Sequence, residues 1–596
     1  MLPILHRSRR DSRAAVTDEK LKVLFKLSIR YCNMITSKKN MKKIISLNLV
    51  FLTLSTLLFA QSPTKVYTLA DTLRGSLNAE RTWWDVQRYE LAVKPDYNDK
   101  SIMGSNKIVY KVVRQNNGNT RMQIDLQEPL IIDSVLYNGG SKLKFEHVGS
   151  VWYVHVPAQK LSALNNVHIF YHGKVHQAKR APWDGGFIFT TDSLSRPWMT
   201  AACQGLGASV WYPNKDHQSD EPNLGASLTM TVPDTLIAVG NGRLVFKKDN
   251  HDGTATYQYN VKNPISNYCI IPYIGKYVNF KEKYAGEKGA LDVNYWVLDY
   301  NYPKAKTYMP DQVHKMMKSM EYWFGPYPFY EDSYQLIDAS HTGMEHQSAV
   351  SYGNGYKFGY RGKDMSGNGW GLKWDFIIIH ESGHEWFGNN ITTNDLADMW
   401  VHESFTNYSE TLFVDYTFGT NAGNEYNFGI RKGIRNDSPI IPPYGVNAQG
   451  SGDMYPKGGN MLHSIRHSLN NDQLFRSILR GLNQTFYHQT VTTAQIENYI
   501  SKKAGYNFSK VFDQYLRTVQ IPVFEYYLKD GKAFYRYSNC VKGFNLPLSL
   551  KKEGVTTLKI IPSQNWQQVT LAKGQDALFT TSGIEFMYYL QVKNTK

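Results

Sequence analysis

Cysteine is scarce. Four occur in 596 residues, and only Cys203, Cys269 and Cys540 lie beyond position 60. An odd, sparse set supplies no disulfide framework, and none of the spacings suits a cysteine-based zinc knuckle. Internal repeats and low-complexity linkers are also absent, which removes solenoids and collagen-like chains from consideration. Long apolar runs are missing too. The one candidate, 44–59, is interrupted by Ser46, Asn48, Thr53, Ser55 and Thr56 and is short for a membrane span. A distributed basic surface is lacking as well. Of the formal charge of +16, residues 1–60 carry +9, leaving +7 spread over the remainder without a basic run, so nucleic acid is not an expected partner.

The interrupted run has another reading. Met41-Lys42-Lys43, the apolar stretch and Ala60-Gln61 supply the positive start, apolar centre and small residue at the cut of a secretory signal peptide. The expectation is a signal peptide over 41–60 and a secreted or periplasmic protein with no stable membrane insertion after cleavage. Without a cysteine at the cut, a lipid anchor is not expected. Residues 1–40 precede the signal and are expected to be a spurious or disordered upstream segment, with Met41 the true start.

With 42% hydrophobic and 20% charged residues, the rest reads as a globular chain too long for one core. From about 82 to 280 it alternates in strand fashion, as in Tyr89-Glu-Leu-Ala-Val and Ala226-Ser-Leu-Thr-Met-Thr-Val. Between about 308 and 516 the apolar spacing turns helical, with helices predicted over 312–324, 374–387, 398–418 and 459–481. After Val519 strands return, with Lys529-Asp-Gly-Lys532 predicted as a hairpin turn. The expected fold is a multidomain α+β chain: an N-terminal all-β domain (61–280), an α-rich catalytic domain (281–518) and a small C-terminal β-sandwich-like module (519–596).

Chemistry concentrates in Ile377-Ile-Ile-His380-Glu381-Ser-Gly-His384-Glu385. Histidines four apart share a helix face and can reach one ion, while Glu381 lies beside it, where it can hold and deprotonate a water. Nineteen residues after His384, Met399-Trp-Val-His-Glu403 opens a second helix, predicted to be capped near Thr393–Asp395. A helix–turn–helix of this length brings Glu403 back as a third ligand. Two imidazoles and a carboxylate leave zinc one open position. His402 points roughly 100° away from Glu403 on a helix and is not a ligand. Glu410 lies two turns further along Glu403's face, where it either orients a ligand histidine or faces solvent.

His380, Glu381, His384 and Glu403 in this order resemble the signature of the M1 aminopeptidases, a gluzincin family. Thr342-Gly343-Met344-Glu345-His346 resembles that family's exopeptidase motif Gly-x-Met-Glu-Asn, departing from it at Thr342 and His346. Met454-Tyr455-Pro-Lys-Gly is similar to its Tyr-x-Lys-Gly motif. Thr200-Ala-Ala-Cys203-Gln204 resembles its β-domain segment, and Asn263-Pro-Ile-Ser-Asn-Tyr268 with Gly275-Lys-Tyr277 the end of that domain. At the zinc helices the departures are His402 and Ser404, where Asn and Gly are usual.

The resemblance covers roughly 85–520 and implies a thermolysin-like catalytic domain holding one Zn2+ per chain. It implies Glu381 as general base, Tyr455 as hydrogen-bond donor to the oxyanion, and Glu345, Gly343, Met344 and Gln204 as the binding site for the free amino end of a peptide. A short β module is expected in place of the large C-terminal helical domain of many members. Two other readings remain: a gluzincin endopeptidase sharing the zinc site, and an inactive M1-like binding protein that keeps the scaffold.

Overall fold

Alternation builds the N-terminal half. In strands such as Ala226–Pro233 and Thr254–Val261 every second residue is buried, the period that lets a sheet cover a core with one face. The structure, a computed structural model, describes residues 66–115 and 120–595. The expected signal peptide and upstream segment lie outside these residues. From Thr68 onward the described residues form one compact unit.

The β region holds an eight-stranded sheet. Its centre is Trp84–Asp96, antiparallel to Ser101–Val112 and parallel to Ala226–Pro233. A four-stranded sheet runs in the order Ile237–Val239, Tyr273–Gly275, Pro197–Ala202, Gly186–Thr191. Strand Pro197–Ala202 ends two residues before Gln204, so this sheet aims the loop that carries it. Trp84, Trp211 and Tyr212 lie in the core of this region. Each such side chain contributes roughly 1.5–3 kcal/mol of burial.

A five-stranded sheet crosses position 280: Tyr277–Gly286, Gly289–Leu298, Tyr334–Asp338, Val350–Tyr352 and, at the edge, Gly343–Met344. Against it pack the helices Tyr302–Phe324 and Phe376–Gly383; Trp400–Phe418 packs on both of these, and Thr420–Ile430 and Pro456–Leu469 pack on Trp400–Phe418. Behind them follow Asp472–Thr485, Thr493–Ala504 and Ser509–Arg517. The C-terminal strands form a four-stranded and a two-stranded sheet. Asp530 and Gly531 both have positive φ in the expected hairpin, as a type I′ turn requires. This module shares its buried cluster with the helices: Leu546, Leu548 and Tyr589 lie in the same core as Met461 and Tyr515.

Four helix boundaries differ from the sequence reading. The first helix begins at Tyr302 rather than near 312, with Pro303 in its first turn and Pro310 inside it. The histidine helix spans Phe376–Gly383 instead of 374–387; Asp375 caps its start and the chain turns after His384. No cap at Thr393–Asp395 opens the glutamate helix. Ile391–Thr393 is a short strand, Asp395 caps the 3-10 turn Leu396–Asp398, and the helix begins at Trp400. The predicted 459–481 helix is two, because Asn470 takes a left-handed conformation and Asn471 caps the next helix at Leu474. Asparagine tolerates that conformation better than other non-glycine residues, which apolar periodicity cannot register.

Candidate metal centre and active site

Short side chains let the two key helices approach. A Cβ on Gly383 would stand 2.6 Å from Ser409 Oγ, and one on Gly458 would collide with Ser404 Oγ. Glycine at both positions brings the histidine helix and the Pro456–Leu469 helix onto the glutamate helix. His380, His384 and Glu403 thereby meet, each buried. Glu403 Oε2 lies 3.4 Å from His384 Nε2 and 3.9 Å from His380 Nε2.

The outward nitrogens fix the tautomers. His380 Nδ1 is 2.7 Å from Glu410 Oε1, and His384 Nδ1 is 3.0 Å from the Phe387 carbonyl. Both partners accept, so both Nδ1 atoms carry the proton, and each Nε2 turns a lone pair inward. Glu403 Oε2 is buried there without a hydrogen-bond donor. Two imidazole lone pairs and a carboxylate oxygen thus face one point, where a cation resolves their mutual repulsion. The donor set fits zinc. Burial lowers the His384 imidazole, but the Glu403 carboxylate outweighs it and pushes the pKa up to about 10.

Glu381 sits on the other side of the pair. One oxygen each of Glu381 and Glu345 and a nitrogen of His384 lie within 4.8 Å of one another. Burial raises Glu381 to about 7, against the pull of His380, a value suited to accepting a proton near neutral pH. The Gly343–Met344 strand runs against it: a Cβ on Gly343 would stand 2.5 Å from Glu381 Oε1. Burial likewise raises Glu345, whose Oε1 accepts from Gln204 Nε2 at 2.5 Å and from the Tyr268 hydroxyl at 3.1 Å. Met344 joins Ile188 and Ala202 in a small apolar cluster beside it. The Tyr455 ring lies 6.0 Å from that of His380, and its hydroxyl, raised well above its ordinary range by burial and the nearby carboxylate, hydrogen-bonds Glu403.

Glu410 does not face solvent. Besides His380 it takes a hydrogen bond from Tyr426 at 2.6 Å and one from Asn407 at 3.2 Å. His402 turns away from the three inward acceptors toward Thr393 Oγ1, 3.2 Å from its Nε2. His346 leaves the cleft for the interior, 2.6 Å from the Tyr273 hydroxyl and 3.1 Å from Ser351 Oγ. Sequence reasoning assigned no role to Tyr268, Tyr426 or Asn389, whose Nδ2 holds the Glu345 carbonyl at 2.8 Å. Tyr268 lies within the stretch that resembles the end of the β domain; one tyrosine among 41 gave no further signal.

Two histidines and a distant glutamate converging beside a free glutamate define a metallopeptidase-type site. Comparison with known proteins points the same way: residues 308–515 match the Peptidase family M1 domain. Endoplasmic reticulum aminopeptidase 1 of Mus musculus is 23% identical over 285 residues, 46% of this chain and 30% of its own length. Aminopeptidase N of Lactococcus lactis subsp. lactis is 24% identical over 220 residues, 33% of this chain and 25% of its own. The chain therefore aligns with about a third or less of these relatives' length. An M1 zinc metallopeptidase from Deinococcus radiodurans shares the fold, with a TM-score of 0.61 at 17% identity over 74% of this chain and 94% of that one.

Proposed function

We propose that the chain is a secreted or periplasmic zinc aminopeptidase that hydrolyses the first peptide bond of peptides with a free amino terminus. The observation that carries this reading is the trio of inward-facing acceptors, His380 Nε2, His384 Nε2 and Glu403 Oε2, next to a second buried carboxylate, Glu345. The trio would hold one zinc, which would supply Lewis-acid chemistry at the point where water and the scissile carbonyl meet.

The chain's own groups do the rest. Glu345, fixed by Gln204 and Tyr268, pairs with the substrate's ammonium, a cation that keeps this buried carboxyl ionised. Glu381 takes a proton from the attacking water and gives it to the departing amine. The Tyr455 hydroxyl donates to the oxyanion that forms between them. The aminopeptidase relatives support this reading. So does a mutant of the Deinococcus metallopeptidase bound to a Tyr-Ser-Ala substrate.

A panel of aminoacyl-coumarins with their N-acetylated counterparts, run with and without chelator, tests the proposal. Free-amine substrates are cleaved, the acetylated ones are not, and chelator abolishes turnover. Equal cleavage of acetylated substrates makes the enzyme an endopeptidase. No hydrolysis of either makes it a binding protein.

A further inference from the structure

Gln204 sits in a loop with little support of its own. Loop 203–207 contains two left-handed glycines, Gly205 and Gly207, and its backbone bonds are short-range, Leu206 N to the Gln204 carbonyl and Gly207 N to that of Cys203. Cys203 and Leu206 pack on the core of the β region, and a cavity of about 30 Å³ lies beside the loop, lined by Arg74, Cys203, Asp216, Asn267, Tyr268 and Val446 among others.

Side chains from elsewhere hold its carbonyls: Gln127 Nε2 donates to that of Leu206 at 2.7 Å, and Arg74 comes from the short helix Leu69–Gly75, before the first strand. Arg74 Nη2 donates to the Gly205 carbonyl at 2.9 Å, and its Nε lies 3.3 Å from Asp216 Oδ2. The same Asp216 oxygen accepts from Ser209 Oγ at 2.5 Å and from Ser209 N at 3.3 Å, so Arg74 and Asp216 link the middle of the loop to Ser209 just beyond it. A Cβ on Gly207 would collide with Asp216 Oδ2 and Arg74 Nη2; the loop is shaped to let the pair lie across it.

The helix also holds the opposite wall. Asn447 N donates to the Asp71 carbonyl at 3.0 Å, and a Cβ on Gly75 would collide with the Val446–Asn447 backbone. Gln449 Nε2 comes within 3.1 Å of where a Gly205 Cβ would stand. In turn, Gln123 Nε2 and Arg81 Nη1 fix the helix by its carbonyls, at 3.1 Å from that of Leu73 and 2.8 Å from that of Arg74.

We infer that Arg74 is a positioning residue for the amino-end site: through the Gly205 carbonyl and Asp216 it holds the backbone that presents Gln204 to Glu345. The helix Leu69–Gly75 is a staple between the Gln204 loop and loop 446–449, and so part of the active-site architecture. This rests on the proposed role of Glu345 and Gln204 in binding the substrate amine. Removing the guanidinium frees the loop and blurs the Gln204–Glu345 contact, which weakens amine recognition and leaves the metal and Glu381 untouched.

The test compares Arg74→Ala, Arg74→Lys, Gln204→Ala and the double variant Arg74→Ala/Gln204→Ala in the full chain. Hydrogen exchange reads the loop, and KM and kcat for a free-amine aminoacyl-coumarin read the site. In Arg74→Ala the Leu206 and Gly207 amides exchange faster, and KM rises about tenfold, the scale of one charge-assisted hydrogen bond, with kcat changed much less. Arg74→Lys restores part of both, and the double variant shows the KM of Gln204→Ala alone. Unchanged exchange in Arg74→Ala overturns the staple. Faster exchange with an unchanged KM, or additive effects in the double variant, overturns the link to Gln204. A wild-type chain that cleaves nothing defeats the aminopeptidase reading instead, and the exchange comparison still decides the staple.

Discussion

The His380 imidazole and the Glu410 carboxylate meet at 2.7 Å, on the side of the ring away from Glu403. That bond keeps the proton on Nδ1 and the lone pair on Nε2, and it makes the ring a stronger donor to a cation. Glu410 is itself pinned by Tyr426 and Asn407, so the orientation of His380 is set two residues deep.

Glu410→Ala accordingly loosens the metal without removing a ligand. The expected outcome is a zinc affinity roughly 10–100-fold weaker, read by competition with a fluorescent chelator, while the folded state persists. Zinc affinity equal to wild type contradicts the role given to Glu410.

Gly343 makes a sharper prediction, because it concerns turnover alone. Its missing side chain leaves room for Glu381 Oε1, 2.5 Å from where a Cβ would stand, with Ile377 Cγ2 at 2.8 Å. Gly343→Ala displaces the Glu381 carboxylate and lowers kcat by up to about 100-fold, with zinc content unchanged. A variant that turns over normally shows that Glu381 does not need its present position.

These relationships divide what was legible in the sequence from what was not. His380, Glu381, His384 and Glu403 could be read because ligand spacing on two consecutive helices is a local property. Glu345 and Gln204 could be read only through resemblance, since they stand 141 positions apart and meet through two different sheets. Tyr268, Tyr426 and Arg74 carried no signal, because the contacts that give them a role are long-range and their residue types are common. The helix ends failed for a related reason. Asn470 and the strand Ile391–Thr393 interrupt stretches whose apolar spacing runs on, and backbone conformation outweighs periodicity there.

Asp375, the cap of the histidine helix, predicts a pH dependence of stability. It accepts from Ile378 N, Asn354 and the hydroxyls of Tyr308 and Tyr352, yet burial dominates and lifts its pKa from 3.8 to about 6. An acid whose folded pKa is raised binds its proton more tightly when folded. Its stabilising effect is therefore full below about pH 4 and is lost as pH climbs to about 6. Urea titrations of wild type and Asp375→Asn across pH 4–7 isolate it. Wild-type stability relative to the variant falls by up to about 3 kcal/mol between pH 4 and 6 and is level above. A difference that stays constant across the range contradicts the assignment.

The central claim is that two imidazoles and the Glu403 carboxylate hold one zinc ion, and metal analysis of the purified chain tests it most directly. The account predicts one zinc per chain in wild type and in Glu381→Gln, which retains all three ligands while losing turnover, and little or none in Glu403→Ala. A folded wild-type chain unable to bind zinc, or a Glu403→Ala variant that binds it as tightly as wild type, contradicts the account.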